Sequence, residues 1–171
     1  MVTIAQEKWL AHLNDDDRVE IYPADSKARE KFEKIKNQLQ SALGENVPIY
    51  HRGSTSMGIS GQGELDIYIP VLPERFDELV TSVEQILGKP RSRYSLERAR
   101  FVTYVDRTKV EVFVINEQSK GWLDCLRFER YLRKHPDAWK AYGTFKEASR
   151  GLSTQKYYRR KLEFINKILE R

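Results

Sequence analysis

Five residues carry the chemistry this sequence suggests. Gly53 and Ser54 form the start of a glycine- and serine-rich stretch, and after nine intervening residues comes Glu64-Leu65-Asp66-Ile67-Tyr68-Ile69. Side chains alternate along a strand, so Glu64, Asp66 and Tyr68 share one face while Leu65, Ile67 and Ile69 share the other. Two carboxylates side by side repel and lose hydration unless a cation lies between them. A hard divalent metal with oxygen ligands is the simplest compensation. Lys109-Val110-Glu111-Val112-Phe113-Val114 reads as a second alternating strand, which puts Glu111 with Lys109 and Phe113 on one face. Three carboxylates on two neighbouring strands suit two metal ions and in-line displacement at phosphorus. The Gly53-Ser54 turn adds close backbone approach, free N–H groups and a hydroxyl for a phosphate.

This order of residues resembles the nucleotidyltransferase fold superfamily, the polymerase-beta-like group. A finer resemblance runs over residues 18 to 171. Val19-Glu20-Ile21-Tyr22-Pro23-Ala24-Asp25, His51-Arg52-Gly53-Ser54-Thr55, Leu65-Asp66-Ile67, Arg127 through Pro136, and Tyr157 with Lys161-Leu162-Glu163-Phe164-Ile165 follow the GrpB-like family in order and spacing. The superfamily's commonest acid pair is Asp-x-Asp; here the first acid is Glu64. The resemblance implies transfer of a nucleoside monophosphate from a nucleoside triphosphate to a hydroxyl, with release of pyrophosphate and with Mg²⁺ or Mn²⁺ as cofactor. It implies Glu64, Asp66 and Glu111 as metal ligands, and Gly53, Ser54, Arg52, Lys161 and Tyr157 as nucleotide-binding residues. The acceptor stays open between an RNA 3′ end, a protein and a small molecule. A nucleotide- or RNA-binding module without turnover, or an interaction protein of the toxin-antitoxin kind, is the alternative.

The elements that must position these residues follow from the pattern. A short helix is expected around Glu7 to Leu13, ended by Asn14-Asp15-Asp16-Asp17, whose consecutive side chains do not converge on one ion. Arg18 to Tyr22 reads as an extended arm. A helix begins near Pro23, capped by Asp25 or Ser26, buries Phe32, Ile35, Leu39 and Ala42, and stops at Gly44. Val47 to Arg52 enters the turn as a strand, and the spacer Thr55 to Gly63 holds a short helix. Glu64 to Val71 is the acid-bearing strand. Glu74 to Leu87 is a helix, and Ala99 to Val105 with Lys109 to Asn116 form a hairpin around Asp106-Arg107-Thr108. Three helices complete the chain, at about 121–134, 136–149 and 154–170, with His135-Pro136 as a break. The expected fold is α/β (α+β), a nucleotidyltransferase-like mixed sheet flanked by helices with a C-terminal helical layer. The expected organisation is one domain over 1–171, sheet-bearing from about 18 to 118 and helical from about 120 to 171.

Composition narrows the function classes. The chain has 171 residues, 40% hydrophobic and 32% charged, enough for a sizeable core under a well-solvated surface. No apolar run approaches the roughly 18 residues that span a bilayer. The N-terminus lacks a basic leader followed by an apolar segment, and the single Cys125 excludes an internal disulfide, so a cytoplasmic setting is expected. A net charge of +5 favours anionic partners such as nucleotides or RNA. Arg91, Arg93, Arg98, Arg100 and Arg107 are further phosphate-binding candidates. Basic and aromatic residues interleave from Lys156 to Lys161, where Tyr157 and Lys161 lie on one helical face. His51 is read as a strand residue beside the turn, His12 and His135 as structural, and Cys125 and Trp139 as packing.

Overall fold

Period-two alternation builds the sheet that carries the acids. The computed structural model describes residues 1–170, which form two compact units: residues 24–59 with 63–123, and residues 1–23 with 60–62 and 124–170.

The first unit contains a five-stranded mixed sheet in the order β1-β2-β5-β4-β3. The strands are β1 (Tyr50–Arg52), β2 (Glu64–Val71), β3 (Ser92–Tyr94), β4 (Arg98–Val105) and β5 (Thr108–Asn116). β2 and β5 run parallel, and every other pairing is antiparallel. β4 and β5 are joined by Asp106 and Arg107, both at positive φ (46° and 65°), the signature of a type I′ hairpin turn. Leu65, Ile67 and Ile69 of β2, Val110, Val112 and Val114 of β5, and Ala99 and Phe101 of β4 fill one face of the sheet. Two amphipathic helices supply the rest of that core: α2 (Ala28–Leu43) through Phe32, Ile35 and Leu39, and α4 (Phe76–Leu87) through Phe76, Leu79, Val80 and Val83.

Four local expectations are corrected. α2 starts at Ala28, with Lys27 as its N-cap and no side-chain cap. Asp25 instead accepts the Lys27 N–H at 2.9 Å and the Lys31 ammonium at 2.6 Å, forming a turn ahead of the helix. Ala42 is exposed, and Ala28 and Leu43 extend the apolar stripe in its place. The strand before the turn is only Tyr50–Arg52, and β3, a three-residue edge strand, lies where no strand was expected.

The second unit is helical. It holds α1 (Ile4–Leu10), most of α5 (Lys120–Lys134), α6 (Pro136–Glu147) and α7 (Thr154–Leu169). Thr3 and Gln6 close α1 with a reciprocal capping box. α1 docks on α7 through a two-pronged Arg159–Glu7 pair at 2.5 and 2.7 Å, so Arg159 is engaged rather than simply solvated. The arm at 18–22 pairs with the loop before α7, with Val19 exchanging backbone hydrogen bonds with Gly151 and Leu152. Ser153 caps α7 and donates to Asp15, which gives the aspartate run a structural partner. Phe128, Tyr142, Phe145, Tyr157 and Phe164 form a continuous set of ring contacts, stacked, tilted and edge-on, within this unit.

Candidate metal centre

The face of the sheet opposite the apolar core carries the acids. β2 alternates half-buried Glu64, Asp66 and Tyr68 with buried Leu65, Ile67 and Ile69. In the parallel ladder Asp66 stands opposite Glu111, and Glu64 opposite Lys109. Oxygen atoms of Glu64, Asp66 and Glu111 all lie within 4.8 Å of one another. Residues 45 positions apart are thus brought together by register alone.

The turn before β2 meets the same cluster. Gly53 opens a single helical turn, α3 (Gly53–Ser56), with φ +74°. A Cβ at this position would collide with the Asp66 carboxylate oxygen and lie 3.1 Å from its Cγ. Glycine therefore answers two demands here, a left-handed backbone and close approach to an acid. Ser54 follows it, half-buried, with its carbonyl accepting from Met57 and Ile59.

Cations surround the acids. Lys109 Nζ lies 2.8 Å from Glu64 Oε1 and 2.9 Å from Glu111 Oε1, and Arg100 Nη1 lies 2.7 Å from the same Glu111 oxygen. The Glu111 side chain is only 12% exposed. Burial disfavours the Lys109 ammonium, but its hydrogen bonds to Glu64 and Glu111 outweigh that and raise its pKa. Arg52 stands opposite Asp66 in the β1–β2 register, hence on the same face. Its guanidinium lies over the rings of Tyr50 (5.0 Å) and Trp122 (5.3 Å). Trp122, Tyr68 and Phe113 continue as a stack beside the acids, at 5.6 and 4.7 Å between centroids.

The donor set fits a hard divalent cation: three carboxylates from adjacent strands, a glycine cradle against Asp66, and an ammonium standing where positive charge is needed.

Other candidates separate. Among the arginines around the hairpin, Arg100 touches an acid, and Arg98 is sandwiched between Tyr94 and Phe113 at 5.5 and 5.7 Å. Arg93 pairs with Asp77 on α4 at 2.5 Å, and Arg107 sits in the hairpin turn. His51 stacks on Phe32 at 5.2 Å and hydrogen-bonds Thr55 at 2.9 Å, a positioning role for the strand-to-turn junction. Tyr157 is fully buried in the helical unit, so its ring has no open face for a base. Lys161 lies over the Tyr157 and Tyr158 rings, at 6.0 and 5.3 Å. His135 stacks on Tyr131 at 3.9 Å. Trp139 is 39% exposed, so its ring is only partly covered. Lys109 and Trp122 were not singled out from sequence. The alternation Lys109-Val110-Glu111 does put Lys109 on the acid face, whereas nothing local places Trp122 there.

No helix of the described residues is long and apolar enough to cross a membrane. No curated protein matches the chain. Among solved structures, the crystal structure of the conserved protein GrpB from Enterococcus faecalis is similar, at 25% sequence identity and a TM-score of 0.68, covering 88% of this chain and 95% of that one. The GrpB protein family matches residues 18–171, nearly the whole sequence, and the chain belongs to that family.

Proposed function

We propose that this GrpB protein is a metal-dependent nucleotidyltransferase, which moves a nucleoside monophosphate from a nucleoside triphosphate to a hydroxyl acceptor. The carrying observation is the in-register pairing of Asp66 with Glu111 on parallel strands, with Glu64 in the same 4.8 Å cluster. Glu64, Asp66 and Glu111 would hold Mg²⁺ or Mn²⁺. When bound, the metal supplies positive charge at the α-phosphate and lowers the pKa of the attacking hydroxyl. Glu111, the least exposed acid, orients the acceptor side. The Gly53 backbone and the Ser54 hydroxyl receive the terminal phosphates, and Arg52, stiffened by two aromatic rings, adds a fixed cation. The acceptor oxygen forms a bond to the α-phosphorus as the bond to the β-phosphate oxygen breaks. Pyrophosphate leaves, and the hydroxyl proton passes to solvent. Positioning and charge neutralisation carry the rate, with no covalent enzyme intermediate.

The basic residues that open α7, from Lys156 to Lys161, favour RNA slightly over a protein or small-molecule acceptor. A second reading, a nucleotide- or RNA-binding module without turnover, draws on the ion pairs of Lys109 and Arg100, which already compensate two of the acids.

The test is transfer of label from each α-labelled nucleoside triphosphate, with Mg²⁺ or Mn²⁺, to total cellular RNA and protein. Wild type is compared with Asp66→Asn. Label that vanishes in Asp66→Asn is the expected result. Metal-dependent nucleotide binding without transfer favours the binding module, and equal labelling by both proteins refutes the metal role of Asp66.

A further inference from the structure

The carboxylate cluster already contains a cation of the protein's own. Lys109 Nζ bridges Glu64 Oε1 and Glu111 Oε1 at 2.8 and 2.9 Å. These two acids sit diagonally across the β2–β5 ladder, because Glu64 faces Lys109 and Glu111 faces Asp66. An ion ligated by both would sit against the two carboxylates that the ammonium now bridges through their Oε1 atoms, and at that range the two cations repel. Lys109 carries one charge and offers hydrogen bonds; a divalent ion carries two and accepts oxygen ligands directly. Both relieve the same repulsion, so they compete for it.

We propose that Lys109 is a displaceable internal counter-ion, which fills the carboxylate cluster until a divalent cation takes Glu64 and Glu111, and which thereby weakens metal binding. The inference rests on the metal reading of these acids given above. Lys109 is built to leave. Its side chain is 35% exposed, and its ammonium is a compact charge on a flexible four-carbon stem. Arg100 stays behind as a second cation on Glu111, so the buried acid keeps a partner when Lys109 departs. The arrangement keeps the protein folded without metal and sets a threshold for metal entry. A phosphate-bearing ligand beside the metal would give the released ammonium a new partner.

The test is Mn²⁺ binding to wild type, Lys109→Met and Lys109→Arg, by electron paramagnetic resonance and calorimetry. Lys109→Met is expected to bind Mn²⁺ at least about tenfold more tightly, since it removes a unit positive charge about 3 Å from the ligand oxygens. Lys109→Arg, which keeps the charge, is expected to stay close to wild type. Equal affinity of wild type and Lys109→Met overturns the inference and leaves the metal reading standing. Absence of Mn²⁺ binding in all three overturns both. A second readout needs no variant and so does not depend on Lys109→Met folding without metal: the acetylation rate of the Lys109 amine in wild type, followed by mass spectrometry with and without saturating Mn²⁺. A rate that rises several-fold with Mn²⁺ is expected, and an unchanged or slower rate overturns the displacement.

Discussion

Gly53→Ala probes the contact between the turn and the acid most directly, because the structure separates its two costs. The first is backbone: alanine at φ +74° loses about 1–2 kcal/mol relative to glycine. The second is the collision with Asp66, whose Oδ2 and Cγ stand in the volume of the new methyl group. Turning that carboxyl aside costs about 0.5–1.5 kcal/mol in rotamer strain. Moving it away from its polar surroundings costs about 1 kcal/mol more. The sum is about 2.5–4.5 kcal/mol, or a fall in Tm of about 5–18 °C for a chain of this size. In an Asp66→Ala background only the Cβ remains, 3.3 Å from the new methyl, a contact that a shift of a few tenths of an ångström relieves. The backbone cost then stands nearly alone. Urea unfolding of the wild type, both single variants and the double variant should give a coupling energy of about 1.5–2.5 kcal/mol, with the double variant more stable than additivity predicts. Additivity within about 0.5 kcal/mol would refute the claim that Asp66 packs against Gly53. Retained wild-type Mn²⁺ affinity in Gly53→Ala would separately refute the inclusion of the glycine cradle in the metal site.

Three further outcomes follow from the geometry. Arg107→Gly should raise stability by about 0.5 kcal/mol in urea titrations, because Arg107 sits at φ 65° in a turn that favours glycine there. The Lys31 ammonium hydrogen-bonded to Asp25 holds its carboxyl below the usual value of 3.8, against a weaker push from burial. Because the folded pKa is the lower one, this stabilisation is complete above the unfolded value and disappears as pH falls through the folded value; the Tm gap between wild type and Asp25→Asn should therefore close below about pH 4. Tyr157→Ala should cost about 3–5 kcal/mol as a core truncation. A selective loss of nucleotide affinity in that variant, at unchanged stability, would instead restore its reading as a base-stacking residue.

Much of the fold was legible because it rests on local periodicity. The run Glu64 to Val71 alternates so regularly that its bounds as a strand, and the face shared by Glu64, Asp66 and Tyr68, followed from period two. Gly44 stopped α2 as expected, as a C-cap at positive φ (94°). The helix start was misplaced for a physical reason: Asp25 made an Asx-type turn and an ion pair with Lys31 instead of capping. β3 escaped notice because three residues show no period, and only pairing with β4 makes them a strand.

The candidate site divides along the same line. Residue types and alternation by themselves determined which carboxylates share a face, that glycine begins the turn before them, and that Lys109 accompanies Glu111. Tertiary structure alone decided that β2 and β5 are parallel neighbours in the register that sets Asp66 against Glu111 and Glu64 against Lys109. It also decided that Arg100 reaches Glu111 from β4, that Trp122 stacks over Arg52, and that Tyr157 is sealed in a helical core. The reason is the range of the interactions. A face along one strand is set by dihedral angles a residue or two apart, whereas a contact between strands depends on which of many possible registers buries the valines and leucines on the opposite side.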